Sequence, residues 1–197
     1  ERLSKGEAGK LMMLLALASA ARADEPSKSR NPVATPAGPQ SPVSPAPQES
    51  RIQSQVYVGE QAPGFELDGS QGRPVRLAHL KGYWILLVFA DRRTELTPLK
   101  EIEPDLRRLG VKTYGICPDK VHVLKSHAER EHLPIILLSD VTGEISQLYG
   151  LYDTRMRQVR PGFVLIDRQG VVRVALLGQQ LPFGEMMALV RSSVIGS

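Results

Sequence analysis

Trp84-Ile85-Leu86-Leu87-Val88-Phe89-Ala90-Asp91-Arg92-Arg93-Thr94-Glu95-Leu96-Thr97-Pro98 is the stretch on which the reading of this 197-residue chain turns. Trp84 to Phe89 is an unbroken apolar run followed by a polar turn, the pattern of a strand buried on both faces in the middle of a sheet. Behind the turn, Thr97 is placed to cap a helix, and Pro98 suits its first position because the missing N–H would be unpaired there anyway. Leu99, Ile102, Leu106 and Leu109 then recur at spacings of three and four, lining one helical face. A strand that feeds a helix through a short loop is a common seat of chemistry in α/β proteins, since backbone N–H groups and the helix dipole converge there. Here the loop holds Asp91, Arg92, Arg93 and Thr94, and no cysteine.

Working outward, residues 1–23 read as a secretory signal peptide. Arg2, Lys5 and Lys10 form a basic start, Leu11 to Ala21 is a largely apolar run, and Ala21-Arg22-Ala23 offers small residues for cleavage before Asp24. The run is well short of the ~20 residues that span a bilayer, so no permanent membrane span is expected. The expected location is outside the cytoplasm, periplasmic or secreted. Residues 24–54 hold seven of the fifteen prolines, spaced by Ser, Gln and Ala, and read as a disordered, Pro-rich linker. Four of the 25 Lys and Arg and two of the 21 Asp and Glu lie in the leader, so the remainder carries about +2. With no basic run interleaved with aromatics, nucleic acid is excluded as a partner.

Residues 55–197 read as one domain. Strand 84–89, a helix from about 98, strand Val111 to Cys117 and a helix opening at Pro118-Asp119 give a parallel strand–helix–strand unit. Pro104 is expected to kink or shorten the first helix. Pro134 to Leu138 is a short apolar segment, and a helix runs through Ile145, Leu148 and Tyr149. Phe163–Ile166 and Val171–Leu177 flank the tight turn Asp167-Arg168-Gln169-Gly170 as antiparallel strands. A last helix, roughly Phe183 to Arg191, points Met186, Met187 and Val190 at the sheet. The fold class is α/β, a mixed central sheet with helices on both faces, in thioredoxin-like order.

The blocks also resemble a known family. Val58-Gly59 with Ala62-Pro63-Gly64-Phe65-Glu66-Leu67, Gly110-Val111 through Gly115-Ile116-Cys117-Pro118-Asp119, Leu137-Leu138-Ser139-Asp140 with Tyr149-Gly150, and Arg160-Pro161-Gly162-Phe163-Val164-Leu165-Ile166-Asp167-Arg168-Gln169-Gly170 occur in order. Together they resemble the redoxins of the alkyl hydroperoxide reductase/thiol-specific antioxidant group. The resemblance implies thiol peroxidase or disulfide oxidoreductase chemistry, with a reactive cysteine in a CxxC or TxxC motif at the helix N-terminus. It also implies that Pro161 is the family's cis-proline beside the active loop.

That motif is missing. Either about five residues are lost between strand and helix, or the helix stays at Thr97-Pro98-Leu99-Lys100 and Thr97 and Lys100 occupy the places of a CxxC pair. The active-site-equivalent loop is therefore Asp91, Arg93, Thr94, Thr97 and Lys100, with Pro161 opposite. A lone cysteine cannot supply both an attacking and a resolving thiol.

Cys117 has two readings: a small inert core residue, or a displaced peroxidatic thiol at the carboxyl end of the strand beside Phe89, where ligands of open α/β sheets collect. On the second reading Arg92 or Arg160 stabilises the thiolate. Arg92, Arg93, Arg155, Arg157 and Arg160 are also candidates for a rim that holds an anion or a peroxide; otherwise they are solubilising charge. His122, His127 and His132 lie five apart, about 140° round a helix, so they are expected to scatter over its surface rather than hold a metal. No cofactor is implied. The expectation is an exported redoxin domain with its redox site lost, a binding or scaffold module for a protein or small-molecule partner. The alternative is a weak one-cysteine peroxidase using Cys117.

Overall fold

The computed structural model describes residues 56–196; the leader (1–23) and the Pro-rich segment (24–54) lie outside the described residues. A hairpin of β1 (Glu66–Gly69) and β2 (Pro74–Arg76) precedes β3 (Trp84–Phe89). Then come α1 (Leu99–Arg108), β4 (Val111–Cys117), α2 (Val121–Glu131), β5 (Ile136–Ser139) and α3 (Glu144–Leu148). A small hairpin, β6 (Tyr152–Asp153) and β7 (Gln158–Val159), leads to β8 (Gly162–Ile166), β9 (Val172–Leu177) and α4 (Phe183–Ile195). The seven-stranded sheet has the order β2-β1-β5-β4-β3-β8-β9, with β3, β4 and β5 parallel and β8 antiparallel to β3.

The unbroken apolar run of β3 follows from its place. Trp84, Leu86 and Val88 enter the core under α1 and α4 with Leu96, Leu99 and Leu106, while Ile85, Leu87 and Phe89 enter the opposite core with Tyr149 and Val164. A strand covered on both faces has no use for a polar alternate. On the second face Tyr149 is fully buried, packs against Phe89 and Phe65, and donates its hydroxyl to the Pro63 carbonyl at 2.8 Å, pinning the irregular lead-in.

The structure departs from expectation in four places. The helix α1 runs four residues past Pro104 to Arg108 rather than being cut short. Buried Leu99 and Leu106 on its inner face, each worth ~2 kcal/mol, offset the ~3 kcal/mol cost of an interior proline. The second helix starts at Val121, three residues later than Pro118 suggests, and α4 continues to Ile195. The β6–β7 hairpin has no sequence signature, because two-residue strands carry no period. Among the described residues no helix is long and apolar enough to cross a membrane.

The β8–β9 turn is stapled by Asp167, whose carboxylate accepts N–H bonds from Gln169 and Val171 at 2.9 Å and an Arg173 guanidinium bond at 2.6 Å. Burial alone would raise its pKa, but the Val171 N–H, Arg173 and the Gln169 N–H outweigh it and hold the carboxyl below its ordinary value. A depressed folded-state pKa contributes stability that is present above the unfolded carboxyl value of about 3.9 and lost as pH falls through the folded one. Urea midpoints at about pH 6 and about pH 3 should therefore differ less for Asp167→Asn than for the native chain. Equal differences would remove Asp167 from the acid response.

Candidate functional site

The carboxyl ends of β3 and β4 open onto the loop 90–98. Its first part is tied down by backbone: Ala90 N–H donates to the Ile116 carbonyl at 3.0 Å, and Asp91 Oδ1 accepts from Val159 N–H at 3.0 Å, linking the loop to β7. Arg93 to Leu96 then form one 3-10 turn, and α1 begins at Leu99. The helix thus starts where the second reading of the loop has it, with Thr97 just before the helix and Lys100 exposed in its first turn. Thr97 does not cap it. Its hydroxyl meets His127 Nε2 at 3.1 Å instead.

Two of the five arginines have carboxylate partners. Arg92 is paired with Glu95 at 3.2 Å and Arg93 with Asp119 at 3.1 Å. Arg155, Arg157 and Arg160 are exposed around the β6–β7 hairpin, where Asp153 accepts from the N–H groups of Arg155 and Met156. The Met156 N–H is the largest influence on the Asp153 carboxyl, and with Arg155 and Arg160 it holds the group below its ordinary pKa. Thr94 is exposed and its carbonyl accepts from Thr97 N–H at 3.3 Å.

Cys117 lies where topology puts it, one residue beyond the Phe89–Ile116 pair. Its side chain, however, is fully buried in the core under α1 and α4. Burial dominates and pushes the thiol pKa up to about 12; a backbone hydrogen bond at Asp119 and the charge of Arg93 pull it down, while Asp119 and Asp140 push it up. At neutral pH the sulfur is a thiol, and a thiol is a poor nucleophile. Labelling with a disulfide reagent at about pH 8 should be at least ~100-fold slower in the native chain than in denaturant. Comparable rates would show an accessible thiolate.

Pro161 lines a cleft with Ala90, Leu96, Phe163, Phe183 and Met186. Its volume is about 30 Å3, room for about two waters or the tip of one side chain, far below the ~300 Å3 of a small-molecule pocket.

His127 is the residue that sequence reasoning misplaced. His122 is exposed and His132 ends α2 in a left-handed conformation, but His127 is 2% exposed. The signal was there: Leu124, His127 and Ala128 share the three-four spacing of the inner face. Among the described residues no three His, Cys, Asp or Glu side chains gather as a metal site.

The profile of the AhpC/TSA family matches residues 58–175. The chain belongs to the AhpC/TSA family. The selenocysteine-containing peroxiredoxin PrxU of Peptoclostridium acidaminophilum is 31% identical over 134 residues, covering 60% of this chain and 66% of that protein. Peroxiredoxin Bcp of Bacillus subtilis is 24% identical over 127 residues, 58% of this chain and 81% of its own length. Among solved structures, AhpC of Enterococcus faecalis superposes with a TM-score of 0.65 at 18% identity, over 71% of this chain and 93% of that one. This redoxin thus has the thioredoxin-like, peroxiredoxin-type fold of an antioxidant family, with Asp91, Arg92, Arg93 and Thr94 in its loop.

Proposed function

We propose that this redoxin no longer performs thiol chemistry and acts as a binding or scaffold module. The observation that carries this reading is the pairing of a cysteine-free loop with a sole cysteine that is fully buried and held protonated. A helix N-terminus sharpens a thiolate placed on it, and here Thr97 stands in that place. The shallow cleft beside Pro161 favours a protein side chain over a free small molecule as its occupant. The basic leader and cleavage-like Ala21-Arg22-Ala23 support export to the periplasm or beyond, which N-terminal sequencing of the secreted chain tests: a start at Asp24 is expected, and an intact leader would refute it.

The test of the main reading is peroxide consumption with a thiol reductant by the native chain and Cys117→Ser. Both should match the protein-free background. Cysteine-dependent turnover would establish the rival, a one-cysteine peroxidase, for which the nearby Arg93 charge is the supporting observation.

A further inference from the structure

Two neighbouring hydroxyls of β4 have nothing in the fold to bond. Thr113 is 8% exposed, and its Oγ1 is buried without a hydrogen-bond partner. Tyr114 is 5% exposed, and no group among the described residues bonds its hydroxyl. Valine and phenylalanine would fill the same space without the cost of desolvating an O–H, so the two oxygens call for a partner from outside the fold. Alternation along the strand puts the two side chains on opposite faces of the sheet, yet both line one cleft of about 420 Å3. The register explains how. β4 pairs with β3 from Val111 onward but with β5 only from Tyr114, so no β5 partner lies beside residues 111–113, and the cleft follows that open edge. It lies at the amino ends of the parallel strands, the end opposite loop 90–98, and its volume is that of a small-molecule site.

The rest of the lining says what such a molecule looks like. Val111, Ile135 and Ile136 give the cleft an apolar floor, and half-exposed Tyr83 stands at its mouth. Lys112 Nζ is held over the Tyr83 ring, 3.4 Å from its centroid, which fixes a cation in place. Arg107 reaches the same cleft from α1, and among the described residues neither cation has a carboxylate partner. Glu103, one turn before Arg107, is the one carboxylate in the lining. Two cations against one anion leave a single positive charge, which suits a monoanion better than a phosphate dianion. Burial raises the Tyr114 phenol pKa, so at neutral pH that group is an O–H donor.

We propose that this cleft binds a small organic monocarboxylate with an apolar body. Lys112, Arg107 and the Tyr114 hydroxyl hold the carboxylate, and the aryl or alkyl part lies on Val111, Ile135 and Ile136. Thr113 brings the second hydroxyl to the ligand by a turn about its Cα–Cβ bond, between staggered rotamers. The site goes beyond the reading of the loop, since nothing in it depends on whether thiol chemistry is lost.

Titration of the full chain with 3-phenylpropionate and with octanoate, followed by calorimetry and by amide NMR shifts, tests it. At least one should bind saturably and one-to-one with a Kd below about 1 mM. The shifts should centre on residues 110–114 and 135–136. The neutral 3-phenylpropanamide and the variant Lys112→Met should each bind roughly tenfold more weakly or worse, the effect of losing a bond to a charged group. Tyr114→Phe should lose affinity as well while its melting temperature stays level or rises, because the hydroxyl bonds nothing in the free chain. No saturable binding of either acid, equal binding of the amide, shifts centred on the loop 90–98, or undiminished affinity in Lys112→Met and Tyr114→Phe would each overturn the proposal.

Discussion

Gly162→Ala should destabilise this domain by about 3 kcal/mol, a ~10 °C fall in melting temperature. A Cβ at Gly162 would lie 2.6 Å from the Leu176 carbonyl oxygen and 2.9 Å from Leu151 Cδ2. The first contact is with the backbone of the neighbouring strand, which cannot rotate away, and Leu151 is itself fully buried. Either β8 and β9 must part, where Gly162 pairs with Leu177, or the chain after Pro161 must shift. Gly115→Ala is the comparison. Its Cβ would meet only Leu96 and Leu137 methyl groups, at 2.8 and 2.9 Å, which can turn aside. Its cost should be nearer ~1 kcal/mol. Thermal unfolding of the two variants checks the ranking, and equal losses would mean that the backbone contact is not what excludes a side chain.

Asp140→Ala should cost about 3 kcal/mol, for a different reason. Asp140 is 1% exposed and serves the start of α3 from a distance. Oδ1 accepts from Ile145 N–H at 3.2 Å; Oδ2 accepts from Ser146 N–H and from the Ser146 hydroxyl, both at 2.7 Å. Removing the carboxylate leaves three donors without their acceptor, in a helix of only five residues that has little else to hold its first turn. Asp140→Asn keeps one acceptor oxygen and should recover part of the loss. Denaturant unfolding of both variants decides; a full loss in Asn would show that the negative charge, not the acceptor, is what matters. Because α3 positions Tyr149, which packs on Phe89 at 5.2 Å, the damage should be read as unfolding rather than as a local change.

The elements were legible because each leaves a local mark. The apolar run of β3, the spacing of Leu99, Ile102 and Leu106, and the Asp167-to-Gly170 turn each lie within a dozen residues of one another. So did Thr97 as a capping residue, and there the reading failed. A hydroxyl chooses among the partners in reach, and the one it meets comes from α2. Pro104 misled for the same reason, since its local cost is outweighed by contacts that only the packed helix makes. The carboxylate partners of Arg92 and Arg93, Glu95 and Asp119, are likewise set by how the chain packs.

What the chain determined by itself is an inventory: a strand–loop–helix junction that contains no sulfur, and a single cysteine elsewhere. No conformation can add an atom, so that conclusion needs no coordinates. Tertiary structure alone decided that Cys117 is sealed in and protonated, and that His127 is buried between an arginine and a hydroxyl. Acidity and proton placement depend on neighbours in space, and those neighbours are brought together by helices packing on a sheet.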